Sequence, residues 1–321
     1  MTAEVVVPFP VQPDLAATMD IQIPALAWQP HGNGAWRRTY RIGGTVIEVT
    51  VTADDHALRF RAHRPLPAGT RTLLASILRR QFPRQVSALA LDGHPVLAAI
   101  GRHYQGVVIM GADPFEALVL TVLSQNRTGE IVRTVYPRLE ARCGGMTPGL
   151  LAALGDRELA EVIRSAGPYK ATRLAAAART IAADGPDLFA GIITQAPAAR
   201  AMAYLTSLPG IAHKTAACVL VFAAGSAGTL PVDTHLFRVT RRLGLTSHNG
   251  TLTATVRDAI VSAMLSHGPG LAPAHFLFLL LGRTTCTAGV PRCGDCFLHQ
   301  LCPTANSTSP PPASAGHGDA W

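Results

Sequence analysis

Apolar and polar residues alternate along the first part of the chain, from residue 36 to about residue 65. The runs WRRTYRI (36–42) and TVIEVTVT (45–52) are joined by Gly43 and Gly44, and a third alternating run, ALRFRAHRP (57–65), follows a turn. Alternation is typical of strands with one buried face, and a Gly-Gly link between two such runs predicts a β-hairpin. We therefore expect a small antiparallel sheet, preceded by an irregular, proline-broken segment over residues 1 to about 30.

From about residue 70 the spacing of apolar residues changes to about 3.6, the period of an amphipathic helix. Asp113 followed by Pro114 is typical of a helix start, and Gly144 and Gly167 lie where helices are expected to end. Segments with this spacing include DPFEALVLTVLSQ, RELAEVIRSAG, APAARAMAYLTSLPG, HKTAACVLVFAAG, DTHLFRVTRRLG and TLTATVRDAIVSAMLSHG. The predicted fold class is mainly α, with a small antiparallel β-sheet domain in front of the helices.

Composition adds constraints on location and partners. Hydrophobic residues make up 48% and charged residues 15% of the chain, as in folded globular proteins, and the net charge of +8 favours a polyanionic partner such as nucleic acid. The most apolar run, AHFLFLLL, is far shorter than the ~20 residues that span a bilayer, and the N-terminus does not resemble a secretory signal. We expect a cytoplasmic protein without membrane association, whose cysteines are reduced or metal-bound. Residues 303–321, rich in Pro, Ser and Ala, are expected to be a disordered tail.

Only two of the 28 basic residues are lysines, Lys170 and Lys214. Arginine stays protonated and cannot form an imine, whereas a lysine amine can lose its proton and attack an electrophilic carbon. The competing interpretation is that coding bias favours arginine and that each lysine is a surviving surface residue. The residues around each lysine must decide whether it has a chemical role.

Four of the six cysteines lie close together near the C-terminus. Their order is Cys286-x6-Cys293-x2-Cys296-x5-Cys302. In a reducing compartment such a group indicates a metal site more strongly than a pair of disulfides, and a C-x2-C pair is common in zinc sites. Cys143 and Cys218 lie in apolar helical surroundings and are expected in the core.

This cysteine arrangement resembles the 4Fe-4S loop at the C-terminal end of the endonuclease III family of DNA glycosylases. Four thiolates meet the ligand count of such a cluster, so the resemblance implies a 4Fe-4S cofactor, with zinc as the alternative.

Residues 208–212, LPGIA, lie between two helical patterns and resemble the helix-hairpin-helix motif of the same superfamily. Such a hairpin presents backbone N–H groups at a helix N-terminus to a DNA phosphate, which implies DNA-binding roles for Leu208, Gly210, Ala212 and His213. Ala212 departs from the family pattern, which has a second glycine there, and its methyl group can tighten the fit to a phosphate or demand a different backbone dihedral angle. For His213, ordinary packing is the competing interpretation.

Lys214 follows the hairpin, and Asp233 lies nineteen residues further on in the run Val-Asp-Thr-His (232–235). Their positions resemble the catalytic pair of the family. A neutral Lys214 amine can attack C1′ of a deoxyribose and leave an imine, from which β-elimination cleaves the strand, while the Asp233 carboxylate stabilises positive charge on the sugar. For Asp233 an N-cap of the next helix is the competing interpretation, although an N-cap aspartate can also be catalytic.

The run SQNRT (124–128) follows a helix at the place where family members carry a glutamine-containing loop that enters the gap left by an extruded base. Gln125 and Asn126 are both candidates for that role, because ungapped counting from Thr128 matches Asn126; a solvated helix end is the alternative. Lys170 is interpreted as a surface or packing residue.

Three arginines on one helical pattern, Arg238, Arg241 and Arg242, are candidates for a phosphate-facing surface. A solvated helix face is the alternative.

The resemblance extends from about residue 96 to residue 302 and implies a two-subdomain helix-hairpin-helix glycosylase domain. Its helical barrel would span about 113–225, and its cluster subdomain about 96–112 plus 226–302. Residues 1–95 are expected to form an N-terminal β-rich domain, which looks more like that of 8-oxoguanine and alkylbase glycosylases of the wider superfamily.

The implied activity is that of a bifunctional DNA glycosylase and abasic-site lyase, a nucleoid-associated monomer that acts on duplex DNA with a damaged base or an abasic site. The catalytic motif implies oxidised pyrimidines as substrates, whereas the added domain implies oxidised purines or alkylated bases. The alternatives are a monofunctional glycosylase for such purines and a non-catalytic protein that binds damaged DNA.

Overall fold

The computed structural model describes residues 3–226, 228–248, 250–268 and 270–307. A five-stranded antiparallel sheet precedes a series of short helices, which confirms the predicted fold class. The strands are β1 (Glu4–Pro8), β2 (Gln29–Pro30), β3 (Trp36–Ile42), β4 (Thr45–Ala53), β5 (Ala57–Ala62), β6 (Arg84–Gln85) and β7 (Val108–Ile109). The helices are α1 (Leu15–Ile21), α2 (Ala68–Gln81), α3 (Pro95–His103), α4 (Pro114–Ser124), α5 (Gly129–Cys143), α6 (Pro148–Ala152), α7 (Asp156–Val162), α8 (Lys170–Asp184), α9 (Pro186–Gln195), α10 (Ala198–Ser207), α11 (His213–Ala224), α12 (Thr234–Arg242), α13 (Ala254–Leu265), α14 (Leu271–Ala274) and α15 (Phe276–Thr284). None of the helices in these ranges combines the length and the apolar composition needed to cross a membrane.

The N-terminal sheet has the strand order β1-β5-β4-β3-β2, with every neighbouring pair antiparallel. Strands β3 and β4 form the predicted hairpin, in which Ile42 pairs with Thr45. Gly43 and Gly44 connect them with φ angles of +54° and +75°, where a side chain would be strained. The local sequence therefore determines this turn.

The prediction of an irregular segment over residues 1 to about 30 is wrong. Strand β1 pairs with β5 at the edge of the sheet, helix α1 follows, and a 3-10 helix spans Ile23–Ala27. The prolines lie where regular structure tolerates them: Pro8 ends an edge strand, and Pro24 lies in the first turn of the 3-10 helix.

Two hydrophobic cores stabilise the chain. The first combines residues of the sheet with helices α4 to α11 and includes Trp28, Phe60 and Tyr136. The second combines α3, α12, α13, α15 and the C-terminal loop and includes Leu236 and Leu277. The sheet and the first group of helices therefore share one core.

A buried ion pair joins the sheet to the helices. Arg38 on β3 donates from Nη2 to Oε1 of Glu116 on α4 over 2.5 Å, and the two side chains are 6% and 7% exposed. Tyr136 on α5 donates to the same oxygen over 3.2 Å. Burial raises the pKa of Glu116, and Arg38 counteracts that shift because it stabilises the carboxylate.

Residues 303–306 form a turn after the last cysteine, and Asn306 Nδ2 donates to the Cys302 carbonyl over 3.2 Å. Most of the tail predicted from composition, residues 308–321, lies outside the described residues.

Candidate active site

A cavity of about 380 Å³ lies where side chains of the two hydrophobic cores meet. Its walls bring together Lys214 of α11 and Asp233 at the start of α12. Four other residues predicted to act at the site line the same cavity: Gln125, Asn126, Gly210 and Ala212. The fold therefore gathers candidates that are widely separated in sequence.

The connection between α10 and α11 sets the position of Lys214. Gly210 in this connection has a φ angle of +77°, and a Cβ atom there would meet the side chain of Arg173. Lys214 is the second residue of α11, in the turn whose N–H groups have no partner within the helix. The hairpin thus places a primary amine beside a helix N-terminus.

Ala212 is the N-cap residue of α11, with φ −87° and ψ 169°. This is an extended conformation that any residue adopts, so the methyl group requires no unusual dihedral angle. No side chain hydrogen-bonds to the first turn of α11 as a cap within the described ranges. An anion can therefore approach these N–H groups, which the helix dipole also favours.

Leu208 and His213 flank the hairpin in different environments. The Leu208 side chain is only 3% exposed and belongs to the first core, so a DNA contact at this position would use its backbone. His213 is half-buried, and its buried Nδ1 has no hydrogen-bond partner among the described residues. Burial, and next the charge of Arg257, lower the pKa of His213.

Asp233 is both an N-cap and a wall of the cavity. Its Oδ1 accepts a hydrogen bond from the backbone N–H of Leu236 over 2.7 Å. Its Oδ2 makes no hydrogen bond to any part of the chain that the structure describes. The two interpretations of Asp233 are therefore compatible, because one oxygen caps α12 while the carboxylate borders the cavity.

His275 lines the cavity but was not among the residues predicted from sequence. Its Nδ1 lies 2.8 Å from the Ala272 carbonyl oxygen, which can only accept, so Nδ1 carries the hydrogen and Nε2 the lone pair. Burial lowers the pKa of His275 to about 4, so the ring is neutral at physiological pH. The available signal was a single polar residue within the run AHFLFLLL.

The charges of Lys214 and Asp233 act on His275 and also on the thiol of Cys218. Burial raises the pKa of Cys218 to about 12, so this thiol stays protonated. Cys218 is 7% exposed, which agrees with the core position predicted for it.

The turn that follows α4 reaches the cavity through Gln125. Gln125 Nε2 donates a hydrogen bond to Thr215 Oγ1 over 2.9 Å, which ties the turn to the residue after Lys214. Asn126 is exposed and has a φ angle of +53°, in the left-handed region. Lys170 Nζ donates to the carbonyls of Leu123 and Gln125. Lys170 is therefore a packing residue and not a surface residue.

Two isoleucines of the N-terminal segment, Ile21 and Ile23, form part of the cavity wall. They come from the end of α1 and the 3-10 helix that follows it. Nothing in the local sequence pattern indicates this contact, because it arises from packing between segments that lie from about 100 to about 250 residues apart. The N-terminal segment thus contributes to the candidate site.

The four C-terminal cysteines lie on one loop after α15, and none of them forms a disulfide in the part of the chain that the structure describes. Burial raises the pKa of Cys296 and Cys302, and the other cysteines of the group add to both shifts, so the four sulfurs lie within electrostatic reach of one another. Over residues 3–307, apart from the three positions not described, no set of three or more His, Cys, Asp or Glu side chains already has the spacing of a coordination sphere. The donor set nevertheless matches a four-thiolate cofactor in number and in type.

Arg238 and Arg242 hold this loop and do not face a phosphate, so the surface role predicted for them is wrong. They are 9% and 6% exposed. Arg238 Nη2 donates to the carbonyls of Gly282 and Cys286, and Arg242 Nη1 donates to the Thr287 carbonyl over 2.6 Å. The loop wraps over this face of α12 because its carbonyl oxygens satisfy both guanidinium groups.

Sequence and fold comparisons identify relatives of this arrangement. Residues 119–259, which contain the hairpin, Lys214 and Asp233, match the HhH-GPD superfamily of base excision DNA repair proteins. Endonuclease III of Synechocystis sp. is 35% identical over 240 residues, 73% of this chain and 100% of that protein. Endonuclease III of Treponema pallidum is 37% identical over 191 residues, 59% of this chain and 83% of that protein.

Among solved structures, the 3-methyladenine DNA-glycosylase from Archaeoglobus fulgidus has a TM-score of 0.67 at 18% identity. The match covers 87% of this chain and 98% of that chain, so the two proteins share a fold.

Proposed function

This chain belongs to the endonuclease III family of HhH-GPD base-excision DNA repair proteins, and on that premise we propose that Lys214 and Asp233 release a damaged base from duplex DNA and then cleave the strand. The family confirms the predicted enzyme class, a bifunctional DNA glycosylase with lyase activity. One observation carries the residue assignment. A primary amine and a carboxylate line the same cavity, beside a helix N-terminus with free N–H groups.

Lys214 acts as the nucleophile in its neutral form, because an ammonium has no lone pair. Its nitrogen attacks C1′ of the damaged nucleotide, the C1′–N bond breaks, and the base leaves with the bonding electrons and takes up a proton. The nitrogen loses its proton and the sugar ring opens, which gives an imine between Lys214 and C1′. Removal of a proton from C2′ then expels the 3′-phosphate and cleaves the strand, and water hydrolyses the imine.

Asp233 stabilises the positive charge that develops on the sugar as the base leaves. Its orientation is fixed because Oδ1 is held by the Leu236 N–H, while Oδ2 is free to face the sugar or to accept a proton from Lys214. A carboxylate fixed in advance costs little reorganisation during the reaction.

The extruded base would occupy the cavity of about 380 Å³ between apolar and polar walls. Ile21, Ile23 and Phe276 supply apolar contacts, and His275 Nε2 and Gln125 Oε1 can accept hydrogen bonds from N–H groups of the base. We assign oxidised pyrimidines as the substrate class, which the resemblance of the Lys214 and Asp233 motif to that of the endonuclease III family implies. Oxidised purines or alkylated bases are the second candidate, which the contribution of Ile21 and Ile23 from the added N-terminal segment favours.

DNA would bind with a phosphate at the first turn of α11, where His213, Lys214 and Thr215 present N–H groups. The turn that Gln125 and Asn126 form would lie against the duplex, and the exposed amide of Asn126 would enter the space that the base leaves. The net charge of +8 supports this contact with a polyanion. We expect a monomer that works at the nucleoid.

The cysteine loop would hold a 4Fe-4S cluster through Cys286, Cys293, Cys296 and Cys302. When bound, such a cluster cross-links the loop through four thiolates, and no step of base release is assigned to it. Arg242 Nη1 lies 3.5 Å from Cys286 Sγ, and a cation in that position favours the thiolate form that ligation requires.

Borohydride trapping tests the assignment of Lys214. The wild-type protein, Lys214→Gln and Asp233→Asn are incubated with duplexes that carry thymine glycol, 8-oxoguanine or an abasic site. We expect a covalent complex with the wild type and none with Lys214→Gln, and the lesion that traps fastest identifies the substrate. Asp233→Asn should slow trapping on base lesions more than on the abasic site, where no base has to leave. Base release without trapping by the wild type would show a monofunctional enzyme, and binding without release would show a damage-binding protein.

Metal and sulfide analysis of the purified protein tests the cofactor. Four iron atoms and four sulfides per chain, lost in Cys293→Ser but retained in the control Cys143→Ser, are expected. Zinc in place of iron would contradict the assignment.

A further inference from the structure

A buried ammonium lies beneath the turn that follows α4. Lys170, the first residue of α8, is 2% exposed, and its Nζ donates hydrogen bonds to the backbone carbonyls of Leu123 (2.8 Å) and Gln125 (2.6 Å). These carbonyls lie at the C-terminus of α4, where they lack partners within the helix and the helix dipole is negative. No carboxylate pairs with Lys170 in the part of the chain that the structure describes, so the carbonyls offset the cost of burying its charge.

The same turn is tied to α11, the helix that carries Lys214. Gln125 donates from its side chain to Thr215, which follows Lys214 on α11. On the other side, Arg127 Nε donates to the Ser165 carbonyl over 3.1 Å. Asn126, between these anchors, is exposed with a φ angle of +53°. The turn is therefore held from α8, from α11 and from residue 165, and its most exposed amide projects between the anchors.

Lys170 also lies next to the DNA-binding hairpin. A small cavity beside its side chain is bounded by Pro209, Gly210 and Ile211 of the hairpin. A compact ammonium with three donors can serve two carbonyls in this confined space, whereas a planar guanidinium is larger and directs its donors in a fixed fork. This accounts for a lysine at this position in a chain whose other basic residues, apart from Lys214, are arginines.

We propose that Lys170 is a positioning residue that fixes the Gln125–Asn126 turn in the conformation that enters the duplex. Because the turn is ordered before DNA binds, little conformational entropy is lost when it replaces an extruded base. The inference rests on the proposed function, since it requires that the turn enters DNA. Lys170 itself touches neither the sugar nor the base.

If Lys170 only stabilised the fold, its replacement would affect activity in a different way. Lys170→Met keeps the length of the side chain and removes a buried charge, so it also removes the cost of desolvating that charge, and the fold should survive. If Lys170 acts only on stability, the variant slows every substrate alike. If Lys170 acts through the turn, the loss is confined to substrates whose base must be extruded from a paired stack.

The experiment measures single-turnover base release from two duplexes that carry the same lesion, one opposite a pairing base and the other in a single-nucleotide bulge. For Lys170→Met we expect a loss of about tenfold on the paired duplex and less than about twofold on the bulged duplex. Arg179→Met is the matched control, because Arg179 lies on the same helix and pairs with Asp156 at the surface over 3.1 Å. It should match the wild type on both duplexes.

Equal losses on the two duplexes, or no loss on the paired duplex, would overturn the proposal. If Lys170→Met melts well below the wild type, Lys170→Gln repeats the comparison. Its amide is one bond shorter than the lysine side chain and uncharged, so it should not hold both carbonyls, and the same selective loss is required of it. A wild-type protein that releases no base from either duplex overturns the proposed function as well. An active wild type that Lys170→Met equals on the paired duplex overturns only the role of Lys170.

Discussion

Asp233 accepts the backbone N–H of Leu236 with one oxygen, over 2.7 Å, while its carboxylate lines the cavity that contains Lys214. Asn at an N-cap is about as stabilising as Asp, so Asp233→Asn should keep the cap and lose the charge. We expect its free energy of unfolding to stay within about 0.5 kcal/mol of the wild type. Single-turnover base release should fall by about a hundredfold or more. Denaturant unfolding and rapid-quench assays measure the two effects.

Asp233→Ala serves as the control for this experiment. It should lose as much activity as Asp233→Asn and in addition lose about 1 kcal/mol of stability, because the Leu236 N–H then has no cap. Full activity in Asp233→Asn would mean that Asp233 is only a cap and that another group stabilises the charge on the sugar.

Ala212 and Gly210 should respond differently to substitution, because only Gly210 has a positive φ angle. Ala212→Gly should change DNA affinity by less than about twofold, since the extended N-cap conformation accepts either residue. Gly210→Ala should cost about 1 kcal/mol for the left-handed conformation alone, and the contact of the new methyl group with the Arg173 side chain adds to that cost. A hairpin loosened by at least that amount should bind at least about fivefold more weakly. Titration of an abasic duplex at fixed salt, with both changes in a Lys214→Gln background, compares them. A large loss in Ala212→Gly would show that the methyl group itself contacts DNA.

Local signals in the sequence predict much of this molecule. Gly43 and Gly44 between two alternating runs predict the β3–β4 hairpin, because the turn and the strands are specified by neighbouring residues. Lys214 lies in the first turn of α11, directly after the LPGIA run, and Asp233 is the N-cap of α12. Both residues were identified from these local patterns, and both lie on the cavity wall.

Contacts between distant segments were not predictable in the same way. His275 and Ile21 reach the cavity only because α14 packs against α11 and α1 packs against α15. Arg238 has the spacing of an exposed helix face, and the loop that covers it follows more than forty residues later, at Cys286. A pattern of charges on one helix does not reveal which later segment will bury it.

Removal of either partner of the buried Arg38–Glu116 pair should destabilise the fold, because the charge of the other partner is then buried without a counter-charge. Arg38→Met places an unpaired carboxylate in the junction between the sheet and α4, and we expect a loss of about 3–5 kcal/mol in the free energy of unfolding. Arg37→Met is the control, because Arg37 pairs with Glu48 at the exposed face of the same strands over 3.3 Å, and it should cost less than about 1 kcal/mol. Urea unfolding measures both variants. Similar losses would mean that water reaches Glu116 in the folded protein.

His275 should make the folded protein less stable in mild acid. Its pKa is lowered to about 4 by burial, and the Ala272 carbonyl and Asp233 only partly oppose that shift, whereas an unfolded histidine titrates near 6.5. As the pH falls below about 6.5, the unfolded chain takes up a proton at this ring before the folded chain does, so stability is lost between about pH 6.5 and 4.

This shift in the pKa of His275 corresponds to about 3 kcal/mol of unfolding free energy. The ring is only 3% exposed, so solvent screens its charge little. His275→Gln cannot take up that proton, although it alters packing at every pH. We therefore compare the change in unfolding free energy between about pH 7 and about pH 4.5, where the wild type should lose about 2–3 kcal/mol more than the variant. Parallel pH profiles would show that the folded protein protonates His275 as readily as the unfolded chain does, and the ring would then not serve as the neutral acceptor assigned to it in the cavity.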